Sequence, residues 1–587
     1  MTTIPPPKPD GPPVPAGAPL RGKLSAKVAY FSMEIAVDEK IPSYSGGLGV
    51  LAADTLRAAA GSLLPMVGVT LLYRRGYFFQ RFDAQGWQRE EGVVWSPDRV
   101  LCELGERVSV LLEGRTVQLR SWLFWIRDAG EGRTPILFLD SDLPENSEWD
   151  RTLSHYLYGG DSRYRLCQEA ILGIGGVRML RKLGFAQVEL FHMNEGHSSL
   201  LILELLEEEA RRSGRTEPVA EDVEAVRRKC AFTTHTPVSA GHDRFPLEMV
   251  RRTIRLPAIA DSEYRGRFCC AGEVNLTHLA FQFSHYINGV AKRHSEVSRA
   301  LFYPARIDSI TNGIHVPYWT SPPMQELFDR HIPGWRADAF SIRYAIAISL
   351  EEIRRAHEAS KAALLEHVNR ETNAGMSMEA LTIGFARRAT AYKRAELILT
   401  DIERLKRMAR EKGPIQLLFA GKAHPQDDEG KRTIQRIIQA QPLLLPDIRM
   451  VYLAEYDLAL ARLLVAGVDL WLNTPQPPME ASGTSGMKAA VNGVPSLSVL
   501  DGWWIEGCIE GVTGWSVGPD HYQRNESSDV RRDAADLYAK LEGVIVPLFY
   551  GDADGFARVM RQGIALNASF FNAQRMLQQY VLKAYFA

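Results

Sequence analysis

The chain has 587 residues, 45% of them apolar and 24% charged, with 69 basic against 70 acidic side chains and a net charge of −1. That is the composition of a soluble globular protein long enough to bury its own core and to hold several domains. The even charge balance excludes a surface that coats polyanions, so nucleic acid is not an expected partner, while a local basic pocket for one phosphate stays open.

Residues 1–22 carry eight prolines and little to bury, and are expected to be a disordered or polyproline-II-like tail. From residue 27 short β-prone runs alternate with helix-length segments. Strands are predicted at 28–32, 66–72, 188–193 and 230–234, with helices at 50–60, 164–183 and on to 209. The second half repeats the scheme, with strands at 381–385, 416–420, 449–453, 468–472 and 496–500 and helices at 392–411, 429–440, 458–465 and 486–491. Alternation of this kind predicts α/β architecture with parallel sheets covered by helices, here as two doubly wound domains. Ligands in such folds sit where strands end and glycine-rich turns enter helices. Six cysteines without a C-x-x-C pair read as reduced thiols. Without a signal-like start or an uncharged stretch of membrane-spanning length, the expected location is the cytoplasm, with no membrane partner.

Three stretches carry charge or backbone suited to phosphate. Tyr44-Ser45-Gly46-Gly47-Leu48-Gly49 precedes a helix and is either an amide cradle for an anion or a tight structural turn. Glu480-Ala481-Ser482-Gly483-Thr484-Ser485-Gly486-Met487-Lys488 opens another helix and places a lysine among apolar residues. Held there, the amine suits Schiff-base chemistry with an aldehyde cofactor that also carries a phosphate; turned outward, it is an ordinary solvated lysine. Ala386-Arg387-Arg388-Ala389-Thr390-Ala391-Tyr392-Lys393-Arg394 sets four cations between a strand and a helix. Cations at a helix start oppose its dipole, so a bound anion explains the cluster better. His192, His197 and His235 follow strands and read as polar lining rather than as metal ligands. Ser284-His285 and Thr311-Asn312-Gly313-Ile314 are undecided on spacing alone.

Taken together, the motif at Glu480–Lys488 and that at Ala386–Arg394 resemble the α-glucan (glycogen, starch, maltodextrin) phosphorylases, in the shorter bacterial branch. Ser45-Gly46-Gly47-Leu48-Gly49, Asn194-Glu195-Gly196-His197, Thr234-His235-Thr236-Pro237, Asn288-Gly289-Val290-Ala291, Thr311-Asn312-Gly313-Ile314 and Ala420-Gly421-Lys422-Ala423-His424-Pro425 fall in the family's order, from residue 28 to the C-terminus. The resemblance implies two Rossmann-like domains facing a central cleft (GT-B architecture). Their bounds would be 23–305 for the glucan-binding domain and 306–550 for the cofactor-binding domain, with helices at 551–587 crossing back to the first. It implies phosphorolysis of the non-reducing end of an α-1,4-glucan by inorganic phosphate, with retention, to glucose 1-phosphate.

The implied cofactor is pyridoxal 5′-phosphate on Lys488, whose 5′-phosphate rather than its aldehyde exchanges protons with the substrate. Gly483, Thr484, Ser485 and Arg387 would hold that phosphate, and Tyr456 would line the ring. Arg388, Lys393 and the glycine loop at Gly46 and Gly47 would hold substrate phosphate. Glu480, Ser482 and Asn312 would bind sugar, as would His285, which the resemblance also sets near the scissile bond. No metal is implied, and a homodimer is.

The sequence departs from the family where Pro477-Pro478 stand in place of Arg-Pro, and Gly486 separates it from the long enzymes. The proline-rich start resembles no regulatory segment of the family. Two other readings compete: a retaining nucleotide-sugar glucosyltransferase of the glycogen-synthase type, and an inactive glucan-binding protein. The first typically carries Lys-Thr before its glycines, where Tyr44-Ser45 stand here, and has no use for a Schiff-base lysine.

Overall fold

The structure, a computed structural model, describes residues 25–586 apart from 129, 131, 238–241, 258–264 and 520–528. The proline-rich segment 1–22 lies outside the described residues. The chain is mixed α/β and is built on two large sheets.

The first sheet has seven parallel strands at its heart, in the order Asp308–Ser309, Tyr286–Gly289, Cys230–Thr233, Leu190–Asn194, Val28–Phe31, Met66–Leu71 and Arg133–Asp140. Val28–Phe31 is buried on both faces, as its unbroken apolar run requires of a parallel central strand. Its alternate residues enter different cores: Val28 and Tyr30 face the one shared with the second half, Ala29 and Phe31 the other. Beyond Arg133–Asp140 the sheet continues through antiparallel Arg115–Arg127, which also pairs with Cys102–Glu103 and Val108–Leu112. This meander falls outside the predicted alternation.

The second sheet is entirely parallel, in the order Arg449–Leu453, Ile415–Ala420, Leu381–Ala386, Leu470–Asn473, Ser496–Val499 and Gly514–Val517. The helix expected at 392–411 is broken. Two short 3₁₀ turns, Ala391–Lys393 and Ala395–Leu399, precede the helix Ile402–Glu411. Arg394 causes the break: it sits at φ +47°, and its guanidinium leaves the helix path to donate to the Thr474 and Pro475 carbonyls and to pair with Asp533.

Loops at the carboxyl ends of the two sheets meet. Leu458 N–H donates to the Tyr44 hydroxyl (3.1 Å), the Gln80 amide to Gly421 O (2.9 Å), and the Lys422 ammonium to Phe78 O (3.0 Å). The last helical stretches, Ala573–Tyr580 and Val581–Tyr585, lie against the first sheet. There the Tyr585 hydroxyl meets His192 Nδ1 (2.7 Å), and that of Tyr580 meets Thr233 and Asn288 (3.1 Å each). Among the described residues no helix is long and apolar enough to cross a membrane.

Candidate active site

The glycine loop leads from Tyr44 into the 15-residue helix Gly47–Gly61. A buried carboxylate, Glu34, gathers its start: it accepts from Ser45 N–H (2.5 Å), Gly46 N–H (3.1 Å) and the Tyr158 hydroxyl (2.9 Å). Gly49 must be glycine because a Cβ there would lie 2.8 Å from both Glu34 Oε2 and Tyr44 Cβ. At Gly46 and Gly47, by contrast, a Cβ would meet nothing within 4 Å, and the helix has no side-chain cap. Its first amides therefore lack a side-chain partner at the cap, and helix-start amides of this kind are ordinary anion donors.

Across from this loop, the strand Leu381–Ala386 ends in the cation cluster. Arg387 reaches Glu480 (2.8 Å) and Asn473, and Lys393 also binds Glu480. The two cations hold the Glu480 carboxyl far down, at about 2, against the burial that would raise it. Next to it, burial pushes Asp501 up to about 7; its oxygens accept from Glu480 N–H and Gly502 N–H (2.9 Å each). Arg388 differs from its neighbours. It is exposed, it lies beside the Tyr77 hydroxyl facing Glu34 and Tyr158, and among the described residues no carboxylate comes within 4 Å of it.

Lys488 lies on the helix Ser485–Val491 and is 7% exposed. Its ammonium sits 4.1 Å from the centre of the Trp319 ring instead of turning to water. Burial lowers its pKa to about 8; buried Asp54 opposes the shift and Arg387 adds to it. Asp54, on the glycine-loop helix, accepts from Trp319 Nε1 (2.9 Å), and the Asn492 amide donates to the carbonyls of Trp319 and Lys488. One chain of contacts thus joins both glycine-rich helices.

Gly483 takes φ +82°, and a Cβ there would come 3.3 Å from Glu480 and 3.4 Å from Arg387. Ser485 Oγ accepts from Trp471 Nε1 (3.1 Å), Thr484 precedes the helix, and half-buried Tyr456 faces Arg387. Asn312 Oδ1, Ser482 Oγ and Thr390 Oγ1 are buried without a partner among the described residues, which costs about 1–3 kcal/mol each unless something binds there.

His285 is not brought to this site. It precedes the strand Tyr286–Gly289, at the amino end of the sheet, and its ring nitrogens meet the carbonyls of Arg227 (3.3 Å) and Ala584 (2.9 Å). The histidine at the carboxyl end is His235. It follows Thr234, whose N–H donates to Asn288 O, two residues from the Val290 carbonyl that Asn312 N–H reaches. His235 Nε2 meets Asn194 Oδ1 (2.5 Å), and its N–H donates to Glu195 (2.6 Å), which burial raises to about 7. His192 and His197 spend ring nitrogens on Tyr585, Thr233 and Met33 N–H, not on any metal-like cluster among the described residues. Strand-end position, already visible for Thr234-His235, is the signal that separates His235 from His285. Glu34, Asp54, Trp319 and Asp501 were missed as site residues, because nothing local marks a buried carboxylate or indole as belonging to a site.

The profile of the family described as carbohydrate phosphorylase matches residues 268–513. The maltodextrin phosphorylase of Thermococcus litoralis is 36% identical over 96% of this chain and 71% of its own length. The chain belongs to the carbohydrate phosphorylase family. Within the family, the glycogen phosphorylase of Mycobacterium tuberculosis is 36% identical over 95% of this chain and 70% of its own. That of Aquifex aeolicus is 33% identical over 95% and 86%.

Proposed function

We propose that the protein is an α-1,4-glucan phosphorylase, converting the non-reducing end of a glycogen- or maltodextrin-type chain and inorganic phosphate to glucose 1-phosphate with retention. The observation that carries this is Lys488: a buried amine with a pKa of about 8, covered by the Trp319 indole and close enough to Arg387 to feel its charge. A nucleotide-sugar transferase has no use for such an amine, and an inactive binding protein has no reason to bury it. The fold reading that goes with this is two Rossmann-like domains, 23–305 and 306–550, facing a cleft, with 551–587 returning to the first.

The residues fit pyridoxal 5′-phosphate. The amine is partly unprotonated near neutral pH, as bond formation with an aldehyde needs. Gly483, at φ +82°, brings the backbone close beside Arg387, and Thr484 and Ser485 follow it into the helix. Lys488, Gly483, Thr484, Ser485 and Arg387 would hold the cofactor, with Tyr456 along its ring. When bound, it supplies a second phosphate that exchanges a proton with the substrate phosphate.

The remaining work falls to the chain's own groups. Two phosphate dianions repel strongly, so cations must bring them together. Arg388, with no carboxylate within 4 Å among the described residues, and Lys393, with the Gly46-Gly47 loop, receive the substrate phosphate. As phosphate takes over Arg387 and Lys393, the acceptors of Glu480 turn to sugar hydroxyls. Asn312 Oδ1 and Ser482 Oγ gain the hydrogen bonds they lack. His235, in place of His285, stands at the sugar end. The held phosphate then faces the positive charge that develops at the anomeric carbon. The direct test is phosphate-dependent release of glucose 1-phosphate from maltodextrin by the cofactor-loaded protein. Glucose 1-phosphate that forms at the same rate without phosphate, or not at all, refutes the reading.

A further inference from the structure

The strand Asp308–Ser309 runs into Thr311-Asn312-Gly313-Ile314, and this segment is gripped by a part of the chain more than 250 residues away. Ile314 N–H donates to Phe571 O (3.1 Å) and Ala573 N–H to Ile314 O (2.7 Å), forming a bridge. Gly313 lies so close that a Cβ would fall 2.2 Å from Asn572 O. Just beyond this bridge the helix Ala573–Tyr580 brings in Arg575.

Arg575 is 5% exposed, and its donors go to neutral acceptors: Thr311 O (2.6 Å), Asn312 O (3.0 Å), Phe570 O (3.0 Å) and Gln579 Oε1 (2.9 Å). No carboxylate among the described residues comes within 4 Å of it. Glu506 is the acid it feels, and Glu506 instead holds the Thr311 hydroxyl (2.9 Å) and Lys292 N–H (3.0 Å). Burial lowers the guanidinium to about 10, so it stays charged at neutral pH. A charge buried without a counter-ion costs several kcal/mol unless its donors are well used. An apolar side chain would fill the space at less cost. What a planar fork adds is geometry. The carbonyls of Thr311 and Asn312 both accept from one guanidinium, so the backbone is tied to Arg575 at the residue whose side-chain Oδ1 is buried without a partner among the described residues.

We propose that Arg575 is the positioning residue of the sugar subsite: it fixes the Thr311–Asn312 backbone so that the Asn312 amide is presented to a glucose hydroxyl. This rests on the phosphorylase reading above. It makes the C-terminal helix part of substrate recognition by way of Asn312.

The test compares Arg575→Gln, Arg575→Lys and Asn312→Ala in the full-length, cofactor-loaded protein. The readouts are cofactor content, thermal midpoint, and KM for maltodextrin and for phosphate. Arg575→Gln is expected to raise the maltodextrin KM about tenfold while cofactor content stays the same and the phosphate KM stays within twofold. Arg575→Lys, with one ammonium for two carbonyls, is expected to give about a threefold rise. Asn312→Ala should match Arg575→Gln, and the double variant should add less than twofold to Asn312→Ala, because both act through one contact. Several results overturn the proposal: equal rises in both KM values, an additive double variant, or a maltodextrin KM unmoved in Arg575→Gln but raised in Asn312→Ala. If Arg575→Gln does not fold, Arg575→Lys decides, and an unchanged maltodextrin KM there overturns it. Lack of phosphate-dependent turnover in the unsubstituted protein would instead defeat the phosphorylase reading itself.

Discussion

Two glycine-rich loops face each other across the site, and each already has a buried carboxylate of its own. On the N-terminal side, Glu34 takes two backbone amides and a phenol, all neutral donors. On the C-terminal side, Glu480 takes Arg387 and Lys393, both cations. The difference sets what each loop can exchange. Amide-to-carboxylate bonds shape the first loop and leave the amides beyond Gly46 open. The ion pairs of the second are the kind that a more highly charged anion can displace. Arg388, exposed and with no carboxylate within 4 Å among the described residues, faces Glu34 on the N-terminal side, and the proposed function makes it a cation for the substrate phosphate. In the proposed function the glycine loops supply amide donors and the side-chain cations supply the charge that a phosphate dianion needs.

The strongest way to break this picture is at the amine. Lys488→Ala should reduce phosphorolysis by at least about a thousandfold while the thermal midpoint of the cofactor-free protein stays the same or rises, since a buried, poorly paired ammonium is removed. Turnover within tenfold of the unsubstituted enzyme would refute the assignment. In the cofactor-free protein the lowered pKa sets a pH window as well. Reaction of Lys488 with pyridoxal 5′-phosphate should rise with pH and be half-maximal near about 8, not near the 10.5 of an ordinary lysine. Next in size is Arg388→Met. Loss of a charge-assisted bond to phosphate, about 1.5–3 kcal/mol, should raise the phosphate KM roughly ten- to a hundredfold with little effect on the maltodextrin KM. A glucan effect of equal size would mean that Arg388 braces the loops instead of binding the anion.

The strands and the motif loops were legible in sequence because their signals are local: β-branched runs, glycines before helices, cations after a strand. What failed was contact between distant segments. A cation cluster at 387–393 gives no sign that Glu480 will neutralise two of its members, and Asn312 gives none that Arg575 will grip its carbonyl. The position of His285 is hidden for a related reason. Order along the chain puts Ser284-His285 and Asn288-Gly289 in one motif, but the strand between carries them to opposite ends of the sheet. The break at Arg394 was equally hidden, since its partners Thr474, Pro475 and Asp533 lie 80 to 139 residues onward.

The contrast between the two carboxylates can be sharpened with Glu480→Gln. The folded-state pKa of Glu480 lies below its unfolded value of 4.5, so the ion pairs contribute stability above about pH 4.5 that is lost as pH falls toward about 2. Glu480→Gln should cost roughly 3 kcal/mol near neutral pH in phosphate-free buffer, and the gap in urea midpoint should narrow below pH 4.5. Added phosphate should narrow it too, by supplying the missing anion to Arg387 and Lys393. Glu34→Gln, which leaves no cation pair bare, should show no such rescue. A gap for Glu480→Gln that ignores both pH and phosphate would mean that the carboxylate is fixed structure.

The smallest expected effect is the most discriminating about the sugar side. Ser482 Oγ is buried with no hydrogen-bond partner among the described residues. If it were mere filler, removing it would relieve an unsatisfied group and change nothing else. If it is held ready for a hydroxyl of the glucan, the two consequences separate. Ser482→Ala should leave the thermal midpoint unchanged or raise it by a degree or two, roughly what recovering part of a ~1 kcal/mol desolvation penalty gives in a chain of this size. It should also raise the maltodextrin KM about threefold. Calorimetry and steady-state kinetics on one preparation read both. A variant that is stabler and binds glucan just as well would take Ser482 out of the site, whereas stability gained at the expense of glucan affinity marks a group whose partner is the substrate.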